Sequence, residues 1–297
     1  MNRWLDRISS MFARTVRPER EGDNIFSGRS TNGALVYAIG DVHGSADLLY
    51  ELLKEISVDV RQCPPQVPIH VVFVGDYIDW GSKSRQVIDA LVALQSYPAW
   101  KTHFLKGDHE ELLLRFIERP SDGWHWLEQG GHATIDSYGV ECPYRPRDMK
   151  RLRDQLIAAM GPEHLMFLRG LQRYWRQGDY VFSHAGVRPG RALGEQEDED
   201  LLWMRPDAMD MLGPDPSMVV IHGHTVSKDI MVGPHRICID TGAYVNHKLS
   251  SARIFDDQIL LISASKSGST HLHLNRMAEP GLDAPHLMRK GSYPQAS

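Results

Sequence analysis

Apolar runs and amphipathic stretches alternate along the chain in a regular order. Residues 35–40 form a continuous apolar run, as a strand covered on both faces would. Residues 47–56 then place Leu48, Leu49, Leu52, Leu53 and Ile56 on one helical face. Residues 69–74 read as a second strand, rich in β-branched side chains. Residues 84–97 read as a helix built on Val87, Ile88, Leu91 and Leu94. A short strand over 103–106 and a helix over 109–117 complete the series. This βαβαβα order predicts parallel strands joined by right-handed crossovers. Residues 121–170 are mostly helical in pattern, interrupted by Trp124, Trp126 and Gly130-Gly131, and read as a helical insertion that caps the site. Strand patterns return at 179–183, 218–221, 235–239 and 253–263, the last broken by an Asp256-Asp257-Gln258 hairpin turn. These late strands predict a second, more antiparallel sheet packed on the first.

Composition adds bounds. A chain of 297 residues buries a large core, and a formal charge of −5 gives no reason to expect nucleic-acid binding. Cys63, Cys142 and Cys238 form no CxxC pair and are odd in number, which points to a reducing, cytoplasmic setting. No apolar run is long enough to cross a bilayer. Near the N-terminus Trp4, Leu5, Ile8, Met11 and Phe12 share a helical face among five arginines. That pattern suits either peripheral contact with an anionic membrane or a helix docked on its own domain. From about Met277 onward the chain is rich in Pro, Gly and Ser without apolar period. The expected organisation is an amphipathic or flexible segment over 1–30, one domain over 31–275 with an insertion at about 121–170, and a disordered tail over 276–297.

Candidate chemistry sits in five short segments: Gly40-Asp41-Val42-His43-Gly44, Gly75-Asp76-Tyr77-Ile78-Asp79, Gly107-Asp108-His109-Glu110, His184-Ala185-Gly186 and Gly223-His224-Thr225. Each sets Asp or His beside Gly, and most follow an apolar, strand-like run. In parallel sheets, sites form beyond the carboxyl ends of strands, where Asp41, Asp76 and Asp108 fall. Taken singly, each Asp reads as a cap and each His as a core residue. Five such segments in order read instead as oxygen and imidazole ligands for hard metals. Asp41 and His43 alternate at a strand exit and could reach one ion. Asp76 could bridge two, and Asp108, His184 and His224 could complete the second. His222, Cys238 and His235 read as structural.

These segments resemble the phosphoprotein phosphatase family of serine/threonine phosphatases, in its bacterial branch, within the calcineurin-like metallophosphoesterases. Ser84-Arg85, Gly130-Gly131, Ala133-Thr134, Ser137-Tyr138-Gly139, Trp203-Met204-Arg205 and Ile239-Asp240-Thr241-Gly242-Ala243 carry the likeness over about residues 36–262. The resemblance implies an α/β fold, a β-sandwich flanked by helices, with the site on a central βαβαβ unit. It implies a metal-dependent hydrolase with two divalent ions, manganese first and iron or zinc otherwise. Asp41, His43 and Asp76 would hold one ion; Asp76, Asp108, His184 and His224 the other. His109 would be the general acid, held by Asp79, and Arg205 would bind phosphate oxygens.

Two positions depart from the family. Its Asp-Arg-Gly is here Asp79-Trp80-Gly81, and its Gly-Asn-His-Glu is here Gly107-Asp108-His109-Glu110. Each change lowers the net charge of the site by one unit, the first by losing a cation and the second by gaining an anion. Trp80 and Arg85 are candidate substrate contacts, and Lys83, Arg85 or Lys106 could replace part of the missing arginine. Three readings follow: a serine/threonine protein phosphatase acting through a hydroxide held between two metals, a dinucleoside polyphosphate (diadenosine tetraphosphate) hydrolase, or a non-enzymatic phospho-binding scaffold. The expected partner is a phosphorylated protein or a small phosphoester.

Overall fold

The computed structural model describes residues 25–142, 148–205, 217–233 and 235–273. The amphipathic N-terminal stretch and the Pro/Gly/Ser-rich tail expected from the sequence lie outside them. Two mixed sheets pack face to face. In the first, β1 (Leu35–Ile39) pairs in parallel with β2 (Ile69–Phe73), which pairs in parallel with β3 (Lys101–Phe104). Helices α1 (Ala46–Val60) and α2 (Ser84–Leu94) make the two crossovers, and α3 (Asp108–Glu118) follows β3.

On its other edge β1 pairs antiparallel with β9 (Lys248–Phe255). Beyond it lie β10 (Gln258–Ser265) and β11 (Gly268–His273). The second sheet runs β4 (Tyr174–Gln177), β5 (Tyr180–Ser183), β6 (Val219–His222), β8 (Arg236–Cys238), β7 (Met231–Val232).

Two expectations about the late strands need correction. The 253–263 hairpin does form, but it completes the first sheet, because β1 offered it a free edge. The second sheet has a parallel centre, β5–β6–β8, and is antiparallel only at its edge strands β4 and β7.

Period-two alternation in β1 builds two cores at once. Leu35, Tyr37 and Ile39 face the helices, packing with Leu49, Leu52 and Ile56 of α1 and Val87, Ile88 and Leu91 of α2. Val36 and Ala38 face the second sheet and meet Phe182, Ile221, Ile237 and Ile254. Complete burial of each large apolar side chain contributes roughly 1.5–3 kcal/mol. Phe26 also enters the inter-sheet core, so residues 25–30 are docked on the domain.

Between α3 and β4 comes the helical insertion. It comprises α4 (Gly123–Trp126), a wide π-type turn over Leu127–Gly131, α5 (His132–Ser137) and α6 (Met149–Arg169). A short helix, α7 (Asp198–Leu202), precedes β6.

Candidate active site

The parallel centres of both sheets run to the same edge of the sandwich. Asp41 follows β1, Asp76 follows β2 and Asp108 opens α3 just after β3. From the second sheet, His184 follows β5, His224 follows β6 and Asp240 follows β8. Carboxyl ends of parallel strands are where such folds place their sites.

The six candidate ligands, joined by His109, meet there in three overlapping sets. Asp108, His184 and His224 form one; Asp41, Asp76 and His184 a second; His43, Asp76 and His109 a third. Within each set the ligand atoms lie within 4.8 Å of one another. Asp76 and His184 each belong to two sets, and Asp76 is not in the set of Asp108, His184 and His224. Asp41 and His43 both approach Asp76, but in different sets. His184 Nε2 lies 2.9 Å from Asp108 Oδ1, and His224 Nδ1 lies 3.1 Å from the same oxygen. His43 Nε2 is 3.3 Å from Asp76 Oδ2, and His184 Nε2 is 3.6 Å from it. Backbone carbonyls fix two of the rings. His43 Nδ1–H donates to Ile78 O at 2.8 Å and His184 Nδ1–H to Val74 O at 3.0 Å, so both Nε2 atoms face the carboxylates.

Backbone strain concentrates at this edge. Eight non-glycine residues among those described have positive φ, and five belong to the site: His43, Asp76, Asp79, Trp80 and His224. Such conformations cost about 1–3 kcal/mol each and persist where surrounding structure imposes them. Space explains the neighbouring glycines. A Cβ on Gly107 would stand 2.0 Å from Asp76 Oδ1, and one on Gly223 1.9 Å from Asp41 Oδ1. Glu110 braces the same loops. Its carboxylate accepts from the N–H groups of Asp76, Tyr77 and Gly107 at 2.8–3.0 Å.

His109 belongs to the third set. Its Nδ1–H donates to Asp79 Oδ2 at 2.8 Å. Asp79 is fully buried and saturated with donors. Trp126 Nε1–H also donates to Oδ2 at 2.8 Å, and Thr134 Oγ1–H donates to Oδ1 at 2.6 Å. Burial by itself would lower the His109 pKa, but the charges of Asp76 and Asp79 outweigh it and lift the imidazole to about 10. A protonated His109, aimed by Asp79, can donate from Nε2.

The donor set fits hard divalent cations. Asp76 and Asp108 are buried within hydrogen-bonding distance of imidazoles rather than of Lys or Arg, and buried Asp41 accepts from the His224 backbone N–H at 2.8 Å. Asp41 Oδ1 and Asp240 Oδ2 are buried without a hydrogen-bond partner. Burial, then the neighbouring Asp240, pushes the Asp41 carboxyl well above the usual range. For His184 burial opposes charge, yet Asp76 and Asp108 raise its pKa well above normal. The cluster therefore draws positive charge, which bound cations would supply in place of protons.

The remaining predicted residues fall at different distances from this chemistry. Trp80 stacks on Tyr244, with ring centroids 5.5 Å apart. Lys83 pairs with Asp47 at 2.6 Å and Lys106 with Glu111 at 2.7 Å, so neither is directed to the missing arginine's role. The Arg85 guanidinium lies 5.9 Å from the Tyr138 ring centroid. Arg205 is exposed at the end of the described segment after α7. His222 is buried against Arg236 and its pKa is pushed down to about 3, by burial first. Sequence reasoning assigned no role to Tyr244, Trp126, Thr134, Glu110 or Asp240. All five lie in or near segments that carried the family likeness, Tyr244 directly after Ala243, but the likeness gave none of them a role.

The sequence pattern of the calcineurin-like phosphoesterases matches residues 34–228, about two thirds of the chain. The chain belongs to the calcineurin-like phosphoesterase family. This metallophosphoesterase resembles the bis(5'-nucleosyl)-tetraphosphatase PrpE (asymmetrical) of Bacillus velezensis (strain DSM 23117 / BGSC 10A6 / LMG 26770 / FZB42). The two are 23% identical over 250 residues, covering 76% of this chain and 92% of the relative. The protein of the same name from Anoxybacillus flavithermus (strain DSM 21510 / WK1) is 26% identical over 238 residues, covering 72% and 88%. Among solved structures, a cold-active protein tyrosine phosphatase superposes with a TM-score of 0.54 at 18% identity, covering 87% of each chain. That last likeness is one of fold. No helix among the described residues is long and apolar enough to cross a membrane.

Proposed function

We propose that this metallophosphoesterase hydrolyses dinucleoside polyphosphates, splitting the chain unequally. The observation that carries the hydrolytic reading is the convergence of Asp41, His43, Asp76, Asp108, His184 and His224 beside a His109–Asp79 pair. The substrate class is supported by the names of the relatives and by an aromatic side chain, Trp80, where the phosphatase pattern has an arginine. Two divalent ions, manganese first, would activate water and neutralise phosphate charge when bound.

The chain's own residues do the rest. Asp76 lies between the two sets of ligands and fixes their spacing. His109 Nε2–H protonates the departing oxygen, while Asp79 holds Nδ1 and the ring's aim. Arg205 is the proposed clamp on phosphate oxygens. The 31–275 domain, with its insertion at about 121–170, is the proposed catalytic unit. Residues 1–30 are the proposed site of any membrane contact.

A second reading, a serine/threonine protein phosphatase, is favoured by the His109–Asp79 pair. A seryl alkoxide is a poor leaving group and gains most from an acid. One panel separates them: purified protein with manganese, offered diadenosine tetraphosphate, a phosphoserine peptide and an aryl phosphate, with products resolved by chromatography. The proposal expects ATP and AMP from the first, at a higher kcat/KM than for the peptide. Asp76→Asn should abolish the reaction, by on the order of 10³-fold or more, since preorganised charge is usually the largest catalytic contribution. Faster cleavage of the peptide would install the second reading.

A further inference from the structure

We propose that Trp80 and Tyr244 form an aromatic wall that receives a flat ring of the group departing from phosphorus. The proposal rests on the phosphoesterase reading of the site. Four rings form a closed circuit at the mouth. His43 meets His109 edge-on, with centroids 4.7 Å apart, and His109 meets Trp80 edge-on at 6.3 Å. Trp80 stacks on Tyr244 at 5.5 Å with 15° between planes, and Tyr244 meets His43 edge-on at 5.2 Å. Two of the four are the candidate ligand and the candidate acid. The other two come from different loops, one after β2 and one before β9, and stand outside the three Asp/His sets.

The wall is braced. A Cβ on Gly130 would stand 2.6 Å from the Trp80 ring, so the glycine backbone lies against the indole. The Trp80 backbone N–H donates to Gly130 O at 3.3 Å. Trp80 is nevertheless 42% exposed, and the nearby Val226 and Val245 are 43% and 54% exposed. Both valines border Gly242, two residues from Tyr244. The apolar surface beside His109 is therefore Trp80, with Tyr244 stacked on it.

Position decides what such a surface selects. His109 Nδ1 is occupied by Asp79, so the departing oxygen must meet Nε2. A ring carried on that oxygen, or a base carried on the phosphate chain beyond it, lies on the Trp80 side. Indole has one N–H donor and no charge, so it cannot replace a guanidinium for phosphate. It can replace water around an aromatic ring, and aromatic faces accept any base.

The test compares matched substrates that differ in the ring. One pair is diadenosine tetraphosphate and inorganic tetraphosphate; the other is phenyl phosphate and ethyl phosphate. Trp80→Ala and Tyr244→Ala should each lower the aromatic-to-plain ratio of kcat/KM, mainly through KM, by roughly tenfold or more, the size of one stacking contact. Tyr244→Phe should keep the ratio. Thermal melts check folding, and Tyr244→Leu replaces any alanine variant that does not fold. Loss confined to the tetraphosphate pair identifies a nucleobase; loss confined to the monoester pair identifies an aryl group. Unchanged ratios, with hydrolysis intact, would overturn the wall alone. Wild-type protein that cleaves no member of either pair would overturn the phosphoesterase reading and the wall with it.

Discussion

At the residue scale, Asp79 shows how the proposed acid, His109, would be aimed. Its two oxygens take three donors, from His109, Trp126 and Thr134. The sequence offered the Asp79–His109 pairing through family likeness, but Trp126 and Thr134 lie 47 and 55 residues away, and no periodicity connects them. Their part follows from geometry alone. Removing the acid should hurt most where the leaving group is poor. His109→Asn should cost about 10²–10⁴-fold in kcat on a phosphopeptide and far less on an activated aryl phosphate. Trp126→Phe deletes one donor to a buried charge and should show the same dependence on leaving group, at about tenfold. Equal losses on both substrates would mean that His109 does not protonate the leaving group.

At the scale of elements, legibility followed locality. Strands β1 and β2 and helices α1 to α3 were readable because each carries its own period and its own apolar face. Their order alone implied parallel pairing. Pairing across long sequence distance was not readable. Strand β9 has the same alternation whether it joins the first sheet or the second, and only the free edge of β1 decides. Strand β4 went unread because three of its four positions are half-buried and one is exposed, leaving no clean alternation. The ligand-bearing loops were the most legible part of the site, because close approach demands glycine beside each reactive side chain, and that leaves a local mark. The aromatic pair was legible only in part. Trp80 stood out as a departure within a motif, while Tyr244 reaches it from a loop 164 positions later.

At the scale of the molecule, two features yield tests. The first concerns acid stability. His70 on β2 and His103 on β3 share one hydrogen bond, Nδ1 to Nε2 at 2.9 Å, and both stack on Trp175 of β4. One of them must donate and the other accept, so the hydrogen bond needs at least one neutral ring and is lost when both are protonated. Burial, then the neighbouring His70 and Lys101, lowers His103 to about 4; His70 is lowered too, by burial first. The unfolded chain binds these protons near the ordinary value of 6.5. Stability from the pair is therefore complete above about pH 6.5 and is lost as pH falls toward 4. Denaturant melts from pH 7 to 4 should show this decline, and His103→Phe should flatten part of it. An identical pH slope in the variant would remove the pair from the account.

The second feature is the one on which the whole reading depends: two sheets deliver six candidate ligands to one edge, as the proposed dinuclear centre would require. The most direct measurement is activity against bound metal. Metal-stripped protein should be titrated with manganese, with hydrolysis and metal content read on the same samples. The account predicts no hydrolysis without metal and a rise that ends at two ions per chain. It also predicts loss of one ion's binding in Asp41→Asn and of the other's in His224→Asn. Full activity in protein freed of metal, or two bound ions with no hydrolysis of any phosphoester, would contradict it.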